Sequence, residues 1–304
     1  MPIIDVKNLR KNYGDVKAVR GISFTVEQGE IFGILGPNGA GKTTTLEILE
    51  GLKSADDGSV IIDSLDAFTR SQEVKNIIGV QLQSESFFEN LNLIELLELL
   101  GSFYRKEVNA LEILRAVDLE EKAYSYYADM SGGQQRRFSI AATLVSNPKI
   151  LFLDEPTTGL DPQSRRYVWS LIRKIRDSGT TIILTTHYME EAEVLCNRLA
   201  IMDHGQIIKI GTPAELIRSL PTQSSISFST EKYVSLADLE LLYGVSKVKK
   251  ENGAYILETG NPTATLYRLL QDAYDRKLGI QNLNMHKPNL EDVFIHYTGH
   301  TLRD

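Results

Sequence analysis

Residues 31–49 read IFGILGPNGAGKTTTLEIL, and three kinds of local order follow one another there. Glu30 to Leu35 is a nearly continuous apolar run, the pattern of a strand buried on both faces. Gly36 to Thr43 fits G-x-x-x-x-G-K-[ST]. Lys42 to about Leu49 has the composition of a helix, which Gly51 ends. Glycines let the chain curl so that successive N–H groups face a phosphate, and the following helix points its positive end at the same place. Lys42 would neutralise β- and γ-phosphate charge and the Thr43 hydroxyl would ligate Mg²⁺. At average composition the pattern arises by accident in about one chain of this length per hundred. Its seat between a buried strand and a helix makes accident rarer still.

A second apolar run, Ile150 to Leu153, ends in Asp154 and Glu155. A buried strand that delivers an acid beside a triphosphate loop is the expected way to hold Mg²⁺, which assigns Asp154 to the metal. Glu155 would orient or deprotonate an attacking water. Alone, two acids after a strand more often cap a helix or face solvent.

Outward from these runs the chain alternates strands and helices. Ile22, Phe24 and Val26 alternate with Ser23 and Thr25 as a half-buried strand does. Strands return at Thr181 to Thr185 and Leu199 to Met202, and the alternation implies a mostly parallel sheet covered on both faces. From about Leu91 to Val145 the spacing turns helical, with Leu93, Leu96, Leu97, Leu100 and Tyr104, then Leu111, Leu114 and Val117, as the apolar positions. A boundary falls in Leu220 to Ser225, a polar stretch carrying Pro221. Beyond it the order strand, helix, strand, strand, helix, strand suggests a small ferredoxin-like domain. A last helix follows Pro288, with Leu290, Val293, Phe294 and Tyr297 on one face.

The 304 residues are enough for two folded units, and 42% hydrophobic with 24% charged is ordinary for a globular chain. The net charge of −7 argues against a nucleic-acid surface, which usually carries a basic excess. One cysteine, Cys196, allows no internal disulfide and reads as a buried apolar residue in a reducing compartment. The N-terminus lacks the segments of a signal peptide, and no apolar stretch approaches the ~20 residues that span a bilayer.

Met130-Ser131-Gly132-Gly133-Gln134 opens a helix read as Gln134 to Val145. This stretch resembles the signature of the ATP-binding-cassette family, usually Leu-Ser-Gly-Gly-Gln, with one apolar residue exchanged for another. A plain serine helix cap leaves the two glycines unexplained. The resemblance spans roughly residues 1 to 215 and implies a P-loop NTPase: an α/β nucleotide-binding domain (1–219) with a RecA-like core and a helical subdomain at about 88–146, followed by the α+β ferredoxin-like accessory domain (220–304). It implies ATP contacts from Gly36, Pro37, Asn38, Gly39, Ala40, Gly41, Lys42, Thr43 and Thr44. Tyr13 would stack on adenine, and Ser131, Gly132, Gly133 and Gln134 would hold the ATP bound by a second copy. Gln83 would touch Mg²⁺ and water, with Gln81 a rival two residues away. Asp161, in Gly159-Leu160-Asp161, would meet the opposite protomer, and His187 would read the γ-phosphate.

The implied assembly is a head-to-tail homodimer with ATP between the subunits. The segment Ser84-Glu85-Ser86-Phe87-Phe88 falls where family transporters receive a helix of the membrane subunit, although its phenylalanines fit a core equally well. Leu290 to Gly299 resembles the ending of daunorubicin-resistance exporter ATPases, which implies an integral ABC-2-type permease as partner, a peripheral place on the cytoplasmic face of the membrane, and no nucleic acid. Against DNA-repair and chromosome ATPases stands the absence of sustained heptads. Against translation factors stands the single set of motifs. A regulatory ATP-binding module would have lost Glu155 or His187.

Overall fold

The computed structural model describes residues 2–83, 86–221 and 224–301. The chain opens with β1 (Ile4–Tyr13), β2 (Val16–Val26), β3 (Ile31–Leu35), α1 (Lys42–Leu49), β4 (Asp57–Ile62), β5 (Leu65–Asp66), α2 (Ser71–Lys75) and β6 (Ile78–Gln81). Then come α3 (Leu93–Phe103), α4 (Ala110–Ala116), α5 (Gly132–Leu144), β7 (Ile150–Asp154), α6 (Pro162–Asp177), β8 (Thr181–Thr186), α7 (Met189–Leu195), β9 (Arg198–Asp203), β10 (Gln206–Gly211) and α8 (Pro213–Arg218). The chain divides into two units, one up to Pro213 and one from Ala214 to His300.

In the first unit the strand order β10-β9-β3-β8-β7-β6 makes one sheet and β2-β1-β4-β5 another. β9, β3, β8, β7 and β6 run parallel, and β10 turns back antiparallel at the edge. All five residues of β3, all five of β7 and all six of β8 are buried. Both faces of the parallel sheet are therefore covered, which is why these strands read as continuous apolar runs rather than alternations. On one face Phe32, Ile34, Phe152 and Ile183 pack with Leu46, Ile48 and Leu49 of α1 and with Val6, Phe24 and Val60 of the antiparallel sheet. The Phe24 and Phe32 rings stack with centroids 5.3 Å apart.

The helical stretch is real but its faces need correction. Leu93, Leu96, Leu97, Leu114 and Val117 are buried, whereas Leu111 and Tyr104 lie out in solvent. Ala110 takes the inner position that spacing alone gave to Leu111. α5 begins at Gly132, two residues before the expected Gln134, because Ser131 already caps it: its Oγ accepts from the Gln134 N–H while its own N–H donates to Gln134 Oε1. The expected boundary stretch Leu220 to Ser225 includes Thr222 and Gln223, which fall outside the described residues.

The second unit contains β11 (Ser224–Thr230), α9 (Leu236–Glu240), β12 (Val245–Glu251), β13 (Ala254–Thr259), α10 (Pro262–Arg276), β14 (Ile280–His286) and α11 (Leu290–Thr298). The order β12-β13-β11-β14, antiparallel at every pairing, is the ferredoxin-like arrangement. Ile226, Phe228, Tyr255 and Leu257 from the sheet meet Leu239 and Leu269 from the helices in one core. α11 starts on a capping box at Asn289 and buries Leu290, Val293 and Phe294, while the Tyr297 hydroxyl bonds Ser219 at 3.0 Å.

Candidate nucleotide site

Four parallel strands end side by side in the order β3, β8, β7, β6, and each delivers one part of the site from its carboxyl end, where open α/β sheets place their ligands. β3 runs into the Gly36–Thr43 loop, β8 into His187, β7 ends at Asp154 and is followed by Glu155, and β6 leads to Gln83. A cavity of about 730 Å³ opens there, lined among others by Tyr13, Asn38, Gly39, Gly41, Lys42, Thr43, Thr44, Gln83 and Glu155.

The loop can take its shape only with glycine at two points. A Cβ on Gly36 would collide with the backbone oxygen of Met202, and one on Gly41 with that of Ala18. Gly41 is also at φ +100°, a left-handed conformation that disfavours other residues. Ala40 is buried, and its N–H bonds the Pro37 carbonyl. Among the described residues, α1 is the one helix of eight or more residues whose N-terminus no side chain caps. Its N–H groups and positive dipole end are left for an anion.

Lys42 is 4% exposed and folded back on its own loop. Its ammonium donates to the carbonyls of Gly36 (2.9 Å) and Pro37 (3.1 Å) and sits 3.3 Å from Glu155 Oε1. Burial lowers its pKa, while Glu155 and Asp154 hold the charge in place. Burial pushes Glu155 upward, but Lys42 and His187 outweigh it, so its carboxyl stays below the usual range. His187 Nδ1 lies 3.2 Å from Glu155 Oε1 and Gln83 Nε2 3.5 Å from Glu155 Oε2. Gln81, the rival, is sealed inside β6 opposite Leu153. Asp154 is pushed up by burial, against the pull of its bonds from the Thr185 and Thr43 hydroxyls, the latter at 3.3 Å. A buried carboxylate beside a hydroxyl and an amide is a hard-oxygen donor set, which fits Mg²⁺.

Two residues here escaped the reading of the motifs. Thr185 both donates to Asp154 and accepts the Glu155 N–H at 3.0 Å, which steadies Glu155 at φ +48°. The Thr158 hydroxyl donates to Glu155 Oε2 at 3.1 Å. Thr185 stands two residues before His187 and could have been suspected; Thr158 carries no comparable signal. Lys11 and Lys53 flank the Tyr13 ring at 5.6 and 5.4 Å from its centroid.

The remaining motif residues are not brought to this cavity. Ser131 and Gly132 are exposed at the start of α5, with Gly133 and Gln134 half-buried. Asp161 caps α6, accepting from the N–H groups of Gln163 and Ser164 and from the Ser164 hydroxyl. A second cavity, about 670 Å³, is lined by Leu52, Leu82, Phe87, Leu100 and Phe103 with buried Glu50 among them. The two phenylalanines part company. Phe87 packs against Tyr127 and Phe138, and Phe88 is 66% exposed. Ser84 and Glu85, before them, fall outside the described residues. Cys196 is buried against Gly33, and burial raises its thiol pKa, so it is an inert core residue.

Such a loop, with its acid strand and histidine, defines a phosphate-loop nucleoside triphosphatase. Residues 19–158 match the family described as ABC transporter, and residues 211–298 match the C-terminal domain of DrrA1-3-like ATP-binding proteins. The linearmycin resistance ATP-binding protein LnrL of Bacillus subtilis (strain 168) is 34% identical across 99% of this chain and 100% of its own. The Nod factor export ATP-binding protein I of Burkholderia lata is 36% identical across the whole of both. Among solved structures, the dimeric post-hydrolysis state of the cassette MJ0796, bound to ADP and Pi, is 28% identical with a TM-score of 0.62, over 69% of this chain and 98% of that one. CbiO1 from Clostridium perfringens, part of the ABC transporter complex CbiONQ, is 28% identical with a TM-score of 0.66, over 72% and 91%. The chain belongs to the ATP-binding proteins of ABC transporters, and it binds and hydrolyses ATP. No helix among the described residues is long and apolar enough to cross a membrane.

Proposed function

We propose that this chain is the ATPase of an exporter whose membrane path is a separate permease, and that it works at the cytoplasmic face as a homodimer with ATP between the subunits. The observation that carries the reading is the incompleteness of the site. Lys42, Glu155 and His187 meet on one side of the cavity, while Ser131 and Gly132 stand exposed and Gly133 and Gln134 half-buried, none of the four lining it. The exposed N-terminus of α5 is available to a nucleotide held by another copy, and the related cassette MJ0796 is a dimer. The relatives named for linearmycin resistance and Nod factor export support the exporter reading. The cavity around Phe87 and Phe103 is the surface we assign to a helix of the permease.

The chemistry follows from the side chains. Incoming phosphates draw the Lys42 ammonium off the Gly36 and Pro37 carbonyls and off Glu155, and the N–H groups at the head of α1 take the β-phosphate. Tyr13 offers a flat face to adenine, and Asn38, Gly39 and Gly41 to Thr44 line the phosphate path. Thr43, Gln83 and Asp154 would hold Mg²⁺, which would supply neutralisation of phosphate charge. Glu155, freed from Lys42, accepts a proton from water as the water oxygen bonds to the γ-phosphorus and the bond to the β,γ-bridging oxygen breaks. His187, beside Glu155, donates to the γ-phosphate. Gly159 to Asp161 meet the partner. The residues 1–219 with their helical part at about 88–146 carry this chemistry, and 220–304 form an accessory domain.

Static light scattering of Glu155→Gln with saturating ATP and Mg²⁺ tests the sandwich; we expect a doubled mass, and an unchanged monomer refutes it. Recovery of the tagged chain with a multi-spanning membrane protein tests the exporter reading, and recovery with nucleic acid instead overturns it.

A further inference from the structure

The chemistry above makes no use of Glu191, although it is fully buried and lies one turn of chain beyond His187. Its Oε1 accepts from the Thr157 hydroxyl at 2.7 Å and from the Trp169 indole N–H at 3.0 Å. The Thr186 hydroxyl accepts the Tyr188 N–H at 2.9 Å and favours the ionised form of the same carboxyl. These residues come from different places: Thr157 from the turn after β7, Trp169 from the middle of α6, Thr186 from the last position of β8. Glu191 itself sits on α7. One carboxyl therefore joins the segment leading to Asp161 with the segment carrying His187.

Apolar packing does not explain the choice of residue. A leucine would fill the space without a polar atom to satisfy, whereas Glu191 Oε2 is buried and has no hydrogen-bond partner among the described residues. Burial drives the carboxyl pKa upward, against the three side chains that favour the ion. Close by, Arg165 Nε on α6 is also buried without a partner, and its guanidinium lies 4.3 Å from the ring centroid of Tyr188, whose ring in turn touches that of His187 at 4.2 Å. A hydrogen-bonded hub in a dry interior has discrete arrangements, so a displacement of one arm is felt by the others.

We propose that Glu191 is a positioning residue that ties His187 to the Thr157–Asp161 segment, so that contact with the γ-phosphate and contact with the second subunit change together. The inference rests on the roles given above to His187 and Gly159–Asp161, and goes beyond them in naming the connection.

Trp169 is the single tryptophan of the chain and donates directly to this carboxyl, so its fluorescence reports the hub. In the full chain we expect ATP with Mg²⁺ to change Trp169 emission. Glu191→Leu abolishes that change and lowers kcat at least tenfold, with KM for ATP within about threefold of the parent, and Glu191→Gln, which keeps an acceptor oxygen, restores most of both. Thr157→Val removes one arm at constant volume and lowers kcat several-fold at unchanged KM, which keeps the test open if Glu191→Leu does not fold. Parental kcat in Glu191→Leu or Thr157→Val overturns the proposal, as does an emission change that persists in Glu191→Leu. A His187→Ala control separates the two readings: inactive His187→Ala beside active Glu191→Leu refutes only the hub, whereas active His187→Ala refutes the site assignment beneath it.

Discussion

Replacing Glu155 by glutamine should produce two opposite effects. In the nucleotide-free site Glu155 Oε1 lies 3.3 Å from Lys42 Nζ, both side chains being about 5% exposed or less. At an effective dielectric constant of 20 that pair interacts by about 5 kcal/mol before desolvation is counted. ATP must take Lys42 from this partner and bring phosphate charge toward a carboxylate already held ionised by Lys42 and His187. Glutamine keeps the shape and a hydrogen bond to Lys42 but removes the charge. With most of the gross term offset by solvation and by the remaining bond, ATP binding should tighten by about 1–3 kcal/mol, roughly 5- to 150-fold. Turnover should fall by about 10²–10⁴, the usual contribution of a positioned general base. A fluorescent ATP analogue titrated into nanomolar protein measures the first effect, and phosphate release at saturating ATP the second. A kcat within fivefold of the parent, or an affinity no tighter, would refute the reasoning.

Glu50 is buried, and burial together with repulsion from Asp154 and Glu47 pushes its carboxyl up to about 8. The folded chain then keeps a proton that the unfolded chain releases from about pH 4.5 upward, so this group's stabilisation is full below that pH and is lost as pH rises through 8, at most about 5 kcal/mol in all. Glu50→Gln should flatten the fall in Tm between pH 5.5 and 8.5; an unchanged slope in scanning calorimetry counts against it. Gly36→Ala, whose methyl meets the Met202 backbone oxygen, should cost about 1–3 kcal/mol or more together with ATP binding, read by urea denaturation and nucleotide titration; parental values for both would show that the loop can yield. Tyr13→Ala should raise KM for ATP by about 5- to 30-fold, a loss of about 1–2 kcal/mol of stacking, with kcat nearly unchanged, and a kcat loss at constant KM would remove Tyr13 from the adenine site.

Much of the architecture was legible because it is written at short range. Ile31–Leu35 and Ile150–Asp154 are apolar throughout, and strands buried on both faces need no alternation. The order of elements after Pro221 reveals the ferredoxin-like unit because each strand and helix there has its own period. Leu111 shows where the period misleads. α4 is only seven residues long, and in a short helix several registers fit the same leucines until packing selects Ala110 and Leu114 for the inside.

The sequence by itself determined the phosphate loop and the acid pair, since each is a run of neighbours whose backbone conformation and spacing carry the chemistry. Only the tertiary structure decided who meets whom. Gln83 rather than Gln81 reaches Glu155, Phe87 turns inward while Phe88 stays out, Thr185 joins Asp154 to Glu155, and Glu191 gathers donors from the turn after β7 and from α6. These meetings depend on the strand order β3-β8-β7-β6, which is not the order of the chain. A carboxyl that bonds residues 22 and 34 positions away has no local pattern to announce it. Its partners are chosen by how the sheet is wound and by the requirement that buried polar groups be satisfied.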